Sequence, residues 1–201
     1  MANSSQRGRN LVSLYLFIDT NTLIGALHRN TAADEAAREL FRLWETGWIG
    51  LARTDTMDTE RFEGQDAETR AQREEEAADL PEALGPFVFD HSRFDASVFA
   101  SGEDTTRVED VFAIVFPTKV VSTARKNEVR DAMHVATAAR YGGHAFVTND
   151  GALLRKDREI AELLGIRVWS PEQALTEVKS RVVARRRLHE LEPDRGPLPA
   201  D

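Results

Sequence analysis

Apolar residues in this chain fall either in short unbroken runs or in helical stripes. Leu14 to Ile18 is continuously apolar and aromatic, the pattern of a strand buried on both faces. Trp48 to Ala52 is a second run, ending near Thr54. Ala145 to Val147 is a third, and Ile166 to Trp169 the last. Between the runs, apolar positions recur every three or four residues, which puts them on one face of a helix. Leu23, Ile24 and Leu27 follow the capping residues Asp19 to Thr22 and face inward. Ala33, Ala36, Ala37, Leu40, Phe41 and Trp44 follow Asn30-Thr31 and stop at Gly47. Val108, Val111, Phe112 and Val115 precede Pro117.

Val129, Ala132, Met133, Ala136 and Ala139 make a further stripe, in a helix with Asp131 near its start and Gly142-Gly143 at its end. Glycine stops a helix because it takes the left-handed conformation without a Cβ clash. Leu153, Leu154, Ile160, Ala161, Leu163 and Leu164 read as one helix closed by Gly165. Ser170, Pro171 and Gln173 supply an N-cap, a proline at N1 and a glutamine at N3, a helix-start signature. The final helix turns basic at Lys179, Arg181 and Arg185 to Arg187. A helix from about Asp55 carries Met57, Glu60 and Arg61. Residues 65 to 79 are dense in charge and read as a solvated helix or arm stopped by Pro81. Phe87 to Phe89 reads as a short strand or extended pass.

The order of strands and helices predicts an α/β fold, a mostly parallel sheet of four to five strands covered by helices on both faces. In such sheets ligands gather at the carboxyl ends of the strands. Asp19 and Asp150 each follow a strand directly. Glu60 lies one turn into the helix after the second strand, and Asp131 opens the helix before the third. Four carboxylates from separate parts of the chain are thereby predicted at one edge. Each has a plain structural alternative: an acid in a first helical turn meets the positive end of the dipole, and an Asp after a strand caps or turns the chain.

Composition narrows the picture. At 201 residues and 41% apolar content, the chain suits one domain with extensions. Residues 1–10 are expected to be a polar, flexible start, 11–175 the domain, and 176–201 a basic helix with a disordered tail. The absence of cysteine excludes disulfides and thiolate metal sites and fits a reducing cytoplasm. No apolar run approaches the ~20 residues that span a bilayer, and Leu11 to Ile18 lacks a signal-peptide cleavage pattern. The net charge of −8 argues against nonspecific nucleic-acid binding through overall basicity. It leaves a nuclease open, because site carboxylates count as negative until metal offsets them.

With these residues in hand, the sequence resembles the PIN-domain family of metal-dependent ribonucleases. The matching pieces are Phe17 to Asn21, Thr54 through Glu60, Asp131 with Ala132, and Val147 to Asp150. The resemblance covers roughly residues 12 to 170, with 62–118 longer and more charged than a minimal member. It implies a PIN-like fold with a charged helical insertion, and Asp19, Glu60, Asp131 and Asp150 as catalytic ligands of one or two Mg²⁺ or Mn²⁺ ions. Hard cations of this kind prefer oxygen donors. Thr148 would orient a carboxylate from outside the ligand set, and Asn21 would do the same or cap a helix. Arg125, Lys126 and Arg130 precede Asp131 and would hold an RNA backbone. The implied substrate is single-stranded or structured RNA. Many stand-alone bacterial members are toxins held by an antitoxin protein, so that an antitoxin or a second copy of the chain is an expected partner.

Other polar residues take the plainer reading. His134, one turn beyond Asp131, is expected to pack or meet solvent. His144 borders a glycine turn and is expected at the surface. The arginines at 185 to 187 read as charge near a helix C-terminus. Two rival functions differ in chemistry. A phosphatase similar to the haloacid-dehalogenase superfamily needs a second Asp two positions after its nucleophile, where this chain has Asn21. A catalytically silent PIN-like binding or assembly module would have lost its acids, and all four are present.

Overall fold

A computed structural model describes residues 14–28, 31–54, 80–85, 102–195 and 197–199. The first apolar run forms β1 (Tyr15–Ile18), the middle strand of a five-stranded sheet. The others are β2 (Gly50–Thr54), β3 (Glu82–Ala83), β4 (Ala145–Val147) and β5 (Arg167–Trp169). Their order is β3-β2-β1-β4-β5, and every neighbouring pair is parallel. The fold is α/β, as the alternating pattern predicts, and the sheet is parallel throughout. β3 is an element the apolar pattern does not announce. It is two residues long and is carried by backbone pairing with the end of β2.

Side chains leave a strand on alternate faces, and the core divides accordingly. Phe17, Ala52, Phe146 and Val168 point to one face. There they meet α3 (Gly102–Val115), α4 (Lys126–Arg140) and α6 (Asp157–Leu164). Leu16, Ile18, Leu51, Ala145 and Val147 point to the other. There they meet α1 (Thr20–His28), α2 (Ala32–Glu45) and α7 (Pro171–Leu191). Phe17 and Phe146 are wholly buried. Burial of one such side chain is worth about 1.5–3 kcal/mol over leaving it in water.

The expected stripes bury Leu23, Leu40, Val108, Val111, Phe112 and Val115. Leu27 departs from its expectation and is 45% exposed. The helix expected between Asp150 and Gly165 is two: α5 (Gly151–Leu154) ends at Arg155-Lys156, where Lys156 has φ −110 and ψ 10, and α6 restarts at Asp157. Asp157 binds β5, accepting from the Val168 N–H at 2.7 Å and from Arg167. That contact fixes where α6 begins. Gly165 closes α6 in the left-handed region, φ 70.

α4 begins five residues before Asp131 rather than at it. The Arg125 N–H donates to the Glu128 carboxylate at 3.1 Å, and Lys119 pairs with the same carboxylate. This start uses Glu128 instead of a Ser, Thr or Asp N-cap, which is why the sequence does not mark it clearly. The helix is buried around more of its circumference than its apolar stripe, with Arg130, His134 and Thr137 inside. It ends as expected at Gly142, φ 70. Gly143 admits no side chain, since a Cβ there would lie 2.8 Å from both the Ala138 carbonyl oxygen and the Phe17 ring.

α7 has the predicted capping box at Ser170 and Gln173. It runs unbroken through residues 175 and 176 to Leu191, anchored by Ala174 and Val178. Beyond it Pro193–Arg195 forms a 3-10 turn. Residues 55–79 and 86–101 lie outside the described residues, and with them the predicted helix carrying Glu60, the charged stretch 65–79 and the Phe87–Phe89 segment. Among the described residues no helix is long and apolar enough to cross a membrane.

Candidate active site

The chain leaves β1 towards β2 and β3 on one side and later builds β4 and β5 on the other. The order reverses between β1 and β4, and a crevice opens outside the carboxyl ends of strands at such a switch point. Asp19 and Thr148 are the first residues beyond those two strands.

The pairing partners align Phe17 with Ala52 and with Phe146. Two residues further on, with the side-chain alternation kept, Asp19 comes level with Thr54 on one flank and Thr148 on the other. These three form a polar row at the carboxyl edge, directly beyond the apolar row Ala52–Phe17–Phe146. All three are buried, Asp19 at 7% exposure and both threonines at 0%. Buried polar groups require partners, and two contacts in the row are explicit. The Thr148 hydroxyl donates to Asp19 Oδ2 at 2.9 Å. The Thr54 hydroxyl and His134 Nδ1 are hydrogen-bonded at 2.5 Å.

Thr148 also ties in Asp150, whose backbone N–H donates to the Thr148 hydroxyl oxygen at 3.0 Å. Asp150 is half-buried and is the N-cap of α5. Its Oδ1 accepts the N–H groups of Ala152 at 2.6 Å and Leu153 at 2.9 Å. One carboxylate oxygen is thus committed to the backbone. A second link across the edge joins Asn149 Nδ2 to the Thr22 hydroxyl at 3.5 Å, and Thr22 is itself buried.

α4 feeds β4 through a four-residue turn, so it runs antiparallel to the strands with its N-terminal end at the carboxyl edge. His134 lies under the polar row. Its ring stacks on Phe146 at 5.6 Å and 22° while it bonds Thr54 of β2. Asp131 is three residues earlier and therefore about 4.5 Å further out along the helix axis. It is half-buried and sits in the second turn. The plain alternative for Asp131 is weakened by this, because the dipole effect falls off within the first turn.

Of the other predicted site residues, Glu60 lies outside the described residues. Asn21 is exposed in the first turn of α1, and among the described hydrogen bonds none joins it to Asp19 or Thr148. Arg125 and Lys126 are exposed at the start of α4, at the same edge as Asp131. Arg130 is a correction. It is 3% exposed, carried inside by the i, i+4 spacing that aligns it with His134, so it offers no open surface to an RNA backbone.

The arginines at 185 to 187 precede the last turn of α7, and their packing is specific. Arg185 and Arg186 lie over the Trp48 ring at 5.6 and 5.3 Å and help keep it 4% exposed. His144 is exposed, as expected, and accepts the Tyr15 N–H on Nδ1 at 3.1 Å.

Asp19, Asp131 and Asp150 carry only carboxylate oxygens, the donor type that hard cations such as Mg²⁺ and Mn²⁺ prefer. Among the described residues no three His, Asp or Glu side chains lie close enough to share one ion. The hydrogen bonds join the Asp19 side chain to the Asp150 backbone through Thr148. Sequence reading singles out Asp19 and Asp150 from their places near strand ends, and Thr148 through the family resemblance. It missed Thr54 as the partner of His134. The signal was present, since Thr54 has the strand parity of Ala52. No protein-family model and no curated protein matches this chain.

Proposed function

We propose that this chain is a metal-dependent phosphodiesterase that cuts RNA. The observation that carries the proposal is the Thr148 hydroxyl held between the Asp19 carboxylate and the Asp150 backbone at the switch point of a parallel sheet. This arrangement ties two acidic residues to one edge and fixes Asp19 Oδ2, while Asp150 Oδ1 is held separately by the Ala152 and Leu153 N–H groups.

Asp19 and Asp150 are the residues that would hold Mg²⁺ or Mn²⁺, with Asp131 from α4 and Glu60 completing the set that the PIN resemblance implies. The ion's contribution is that of a Lewis acid, offsetting phosphate charge and making water more acidic. The chain's own residues do the rest. Thr148 holds Asp19 Oδ2 in place, leaving the carboxylate little rotational freedom to lose on loading. Asp150 is steadied by two backbone N–H groups on Oδ1, which would leave Oδ2 for an ion. Arg125 and Lys126, exposed at the edge, suit contacts to the phosphates on either side of the scissile bond.

In its finer form the proposal makes the protein the toxin of a toxin–antitoxin pair. Its induced expression should then arrest growth, and Asp19→Asn should relieve the arrest.

The test is cleavage of a 5′-fluorescein single-stranded RNA by purified protein with Mn²⁺ and with EDTA, alongside Asp19→Asn. Cleavage with Mn²⁺ only, abolished in the variant, is the expected result. Cleavage that persists equally in EDTA overturns the proposal. So does hydrolysis of p-nitrophenyl phosphate through Asp19 without RNA cleavage, which points to the phosphatase chemistry.

A further inference from the structure

We infer that Thr54 and His134 are a positioning pair that sets the height and rotation of α4, and with it Asp131, against the carboxyl edge of the sheet. The inference rests on the phosphodiesterase reading and assigns a role to two residues that reading does not use.

β2 and β4 flank β1. A side chain that touches both must cross β1 on one face of the sheet. His134 does so. It hydrogen-bonds Thr54 at the last position of β2 and stacks on Phe146 in the middle of β4. It is 1% exposed, and Thr54 is 0% exposed. The strand it crosses is followed directly by Asp19. The ring therefore lies beneath the row formed by Thr54, Asp19 and Thr148, and one turn of helix separates it from Asp131.

A stack on Phe146 resists tilting of α4 but does little to oppose sliding, because offset aromatic contacts tolerate a range of geometries. A hydrogen bond is directional in both distance and angle. The Thr54 contact therefore supplies what the stack lacks, a fixed register between α4 and the end of β2. Asp131 and Thr148 then inherit positions relative to Asp19 from two independent bonds, one on each side of β1.

The ordinary alternative is a core histidine whose polar atom merely found a partner. Stability and function separate the two. Replacing both partners of a buried hydrogen bond by apolar groups of like shape is nearly neutral for stability. A core role therefore expects a Thr54→Val/His134→Phe double variant to behave as wild type. A positioning role expects it to fold well and work badly.

The experiment compares wild type, Thr54→Ser, Thr54→Val and the double variant in the full chain. Thermal midpoints, kcat and KM for the labelled RNA at saturating Mn²⁺, and amide hydrogen exchange over residues 126–134 are measured. The expected result is a double variant with a near-native midpoint, a kcat lowered about 10–100-fold, the range seen for residues that orient metal ligands, and a smaller change in KM. Thr54→Ser keeps the hydroxyl and should recover most of the rate. Exchange in the first turns of α4 should quicken in Thr54→Val and not in Thr54→Ser. A double variant with native kcat overturns the inference, as do equal losses in Thr54→Val and Thr54→Ser. If the wild type itself shows no Mn²⁺-dependent cleavage, the phosphodiesterase reading fails separately. The exchange data then decide: faster exchange in Thr54→Val alone supports the positioning pair, and identical exchange in all four proteins overturns it.

Discussion

Thr148 donates its hydroxyl proton to Asp19 Oδ2 at 2.9 Å, across the seam between the two strands where the sheet order reverses. The Thr148 hydroxyl oxygen in turn accepts the Asp150 backbone N–H, so one buried hydroxyl ties the Asp19 carboxylate to the Asp150 backbone. Thr148→Val keeps the shape and removes both bonds. It is expected to destabilise the fold by about 1–3 kcal/mol, the cost of leaving buried partners unsatisfied. Thr148→Ser should stay close to wild type. Urea unfolding of the three proteins checks this, and a valine variant as stable as wild type contradicts it.

The turn between α4 and β4 delivers Thr148 and Asp150 to the edge, and Gly143 is its tightest point. An added Cβ would meet the Ala138 carbonyl oxygen and the Phe17 ring, both at 2.8 Å. One contact is backbone and the other the fully buried centre of β1, so neither yields cheaply. Gly143→Ala is expected to cost about 1–3 kcal/mol and to lower activity by shifting β4. Gly102→Ala, where a Cβ meets nothing within 4 Å, is the matched control. Equal stability of the two variants would count against this packing.

Stability should fall as pH drops below 6.5 because of His144. Burial first, and then the charge of Arg181, hold its pKa below the ordinary value of 6.5. The Tyr15 N–H donates to Nδ1, a bond only an unprotonated nitrogen accepts. The unfolded chain thus binds a proton at a pH where the folded one does not, and stability rises with pH across that window. The contribution is complete above 6.5 and is lost as pH falls through the lowered folded value. Asp157 acts in the same direction at lower pH. Burial raises its pKa, but Arg167 and the Val168 N–H outweigh that and leave it below 3.8, so its share is present above 3.8 and is lost as pH falls through the lowered folded value. Unfolding free energies for wild type and His144→Gln against pH test the assignment. The slope just below 6.5 should flatten in the variant, and an unchanged slope contradicts it.

Much of this arrangement can be read from the residues, and the exceptions have physical causes. Runs such as Leu16 to Ile18 and Ala145 to Val147 are apolar because both faces of the sheet are covered, so their ends, and the polar residues just beyond, are sharply marked. Glu82–Ala83 has no such signature. It is a strand because β2 offers it a backbone ladder, and pairing of that kind leaves no periodicity. The start of α4 is hidden for a related reason. Glu128 reaching back to the Arg125 N–H takes the place of an N-cap side chain, and Asp131 is drawn into the second turn. Arg130 looks like a surface cation in a charged stretch, yet the i, i+4 relation to His134 carries it inside. The row Thr54–Asp19–Thr148 needs the strand order and register, which are set by pairings between distant residues, Phe17 with Ala52 on one side and Phe17 with Phe146 on the other.

The claim that this edge holds a metal is tested most directly at Asp150, because its cap role and its ligand role can be separated. Asn caps a helix about as well as Asp. Asp150→Asn should therefore keep its bonds to Ala152 and Leu153 and stay within about 1 kcal/mol of wild type in EDTA. It loses the charge an ion requires. Thermal melts of both proteins in EDTA and in Mn²⁺ give the answer. The wild type should gain stability with Mn²⁺, by roughly 2.7 kcal/mol at about 100 times its Kd, and Asp150→Asn should gain little. A variant that keeps the full Mn²⁺-induced shift, or a wild type that shows none, would contradict the account.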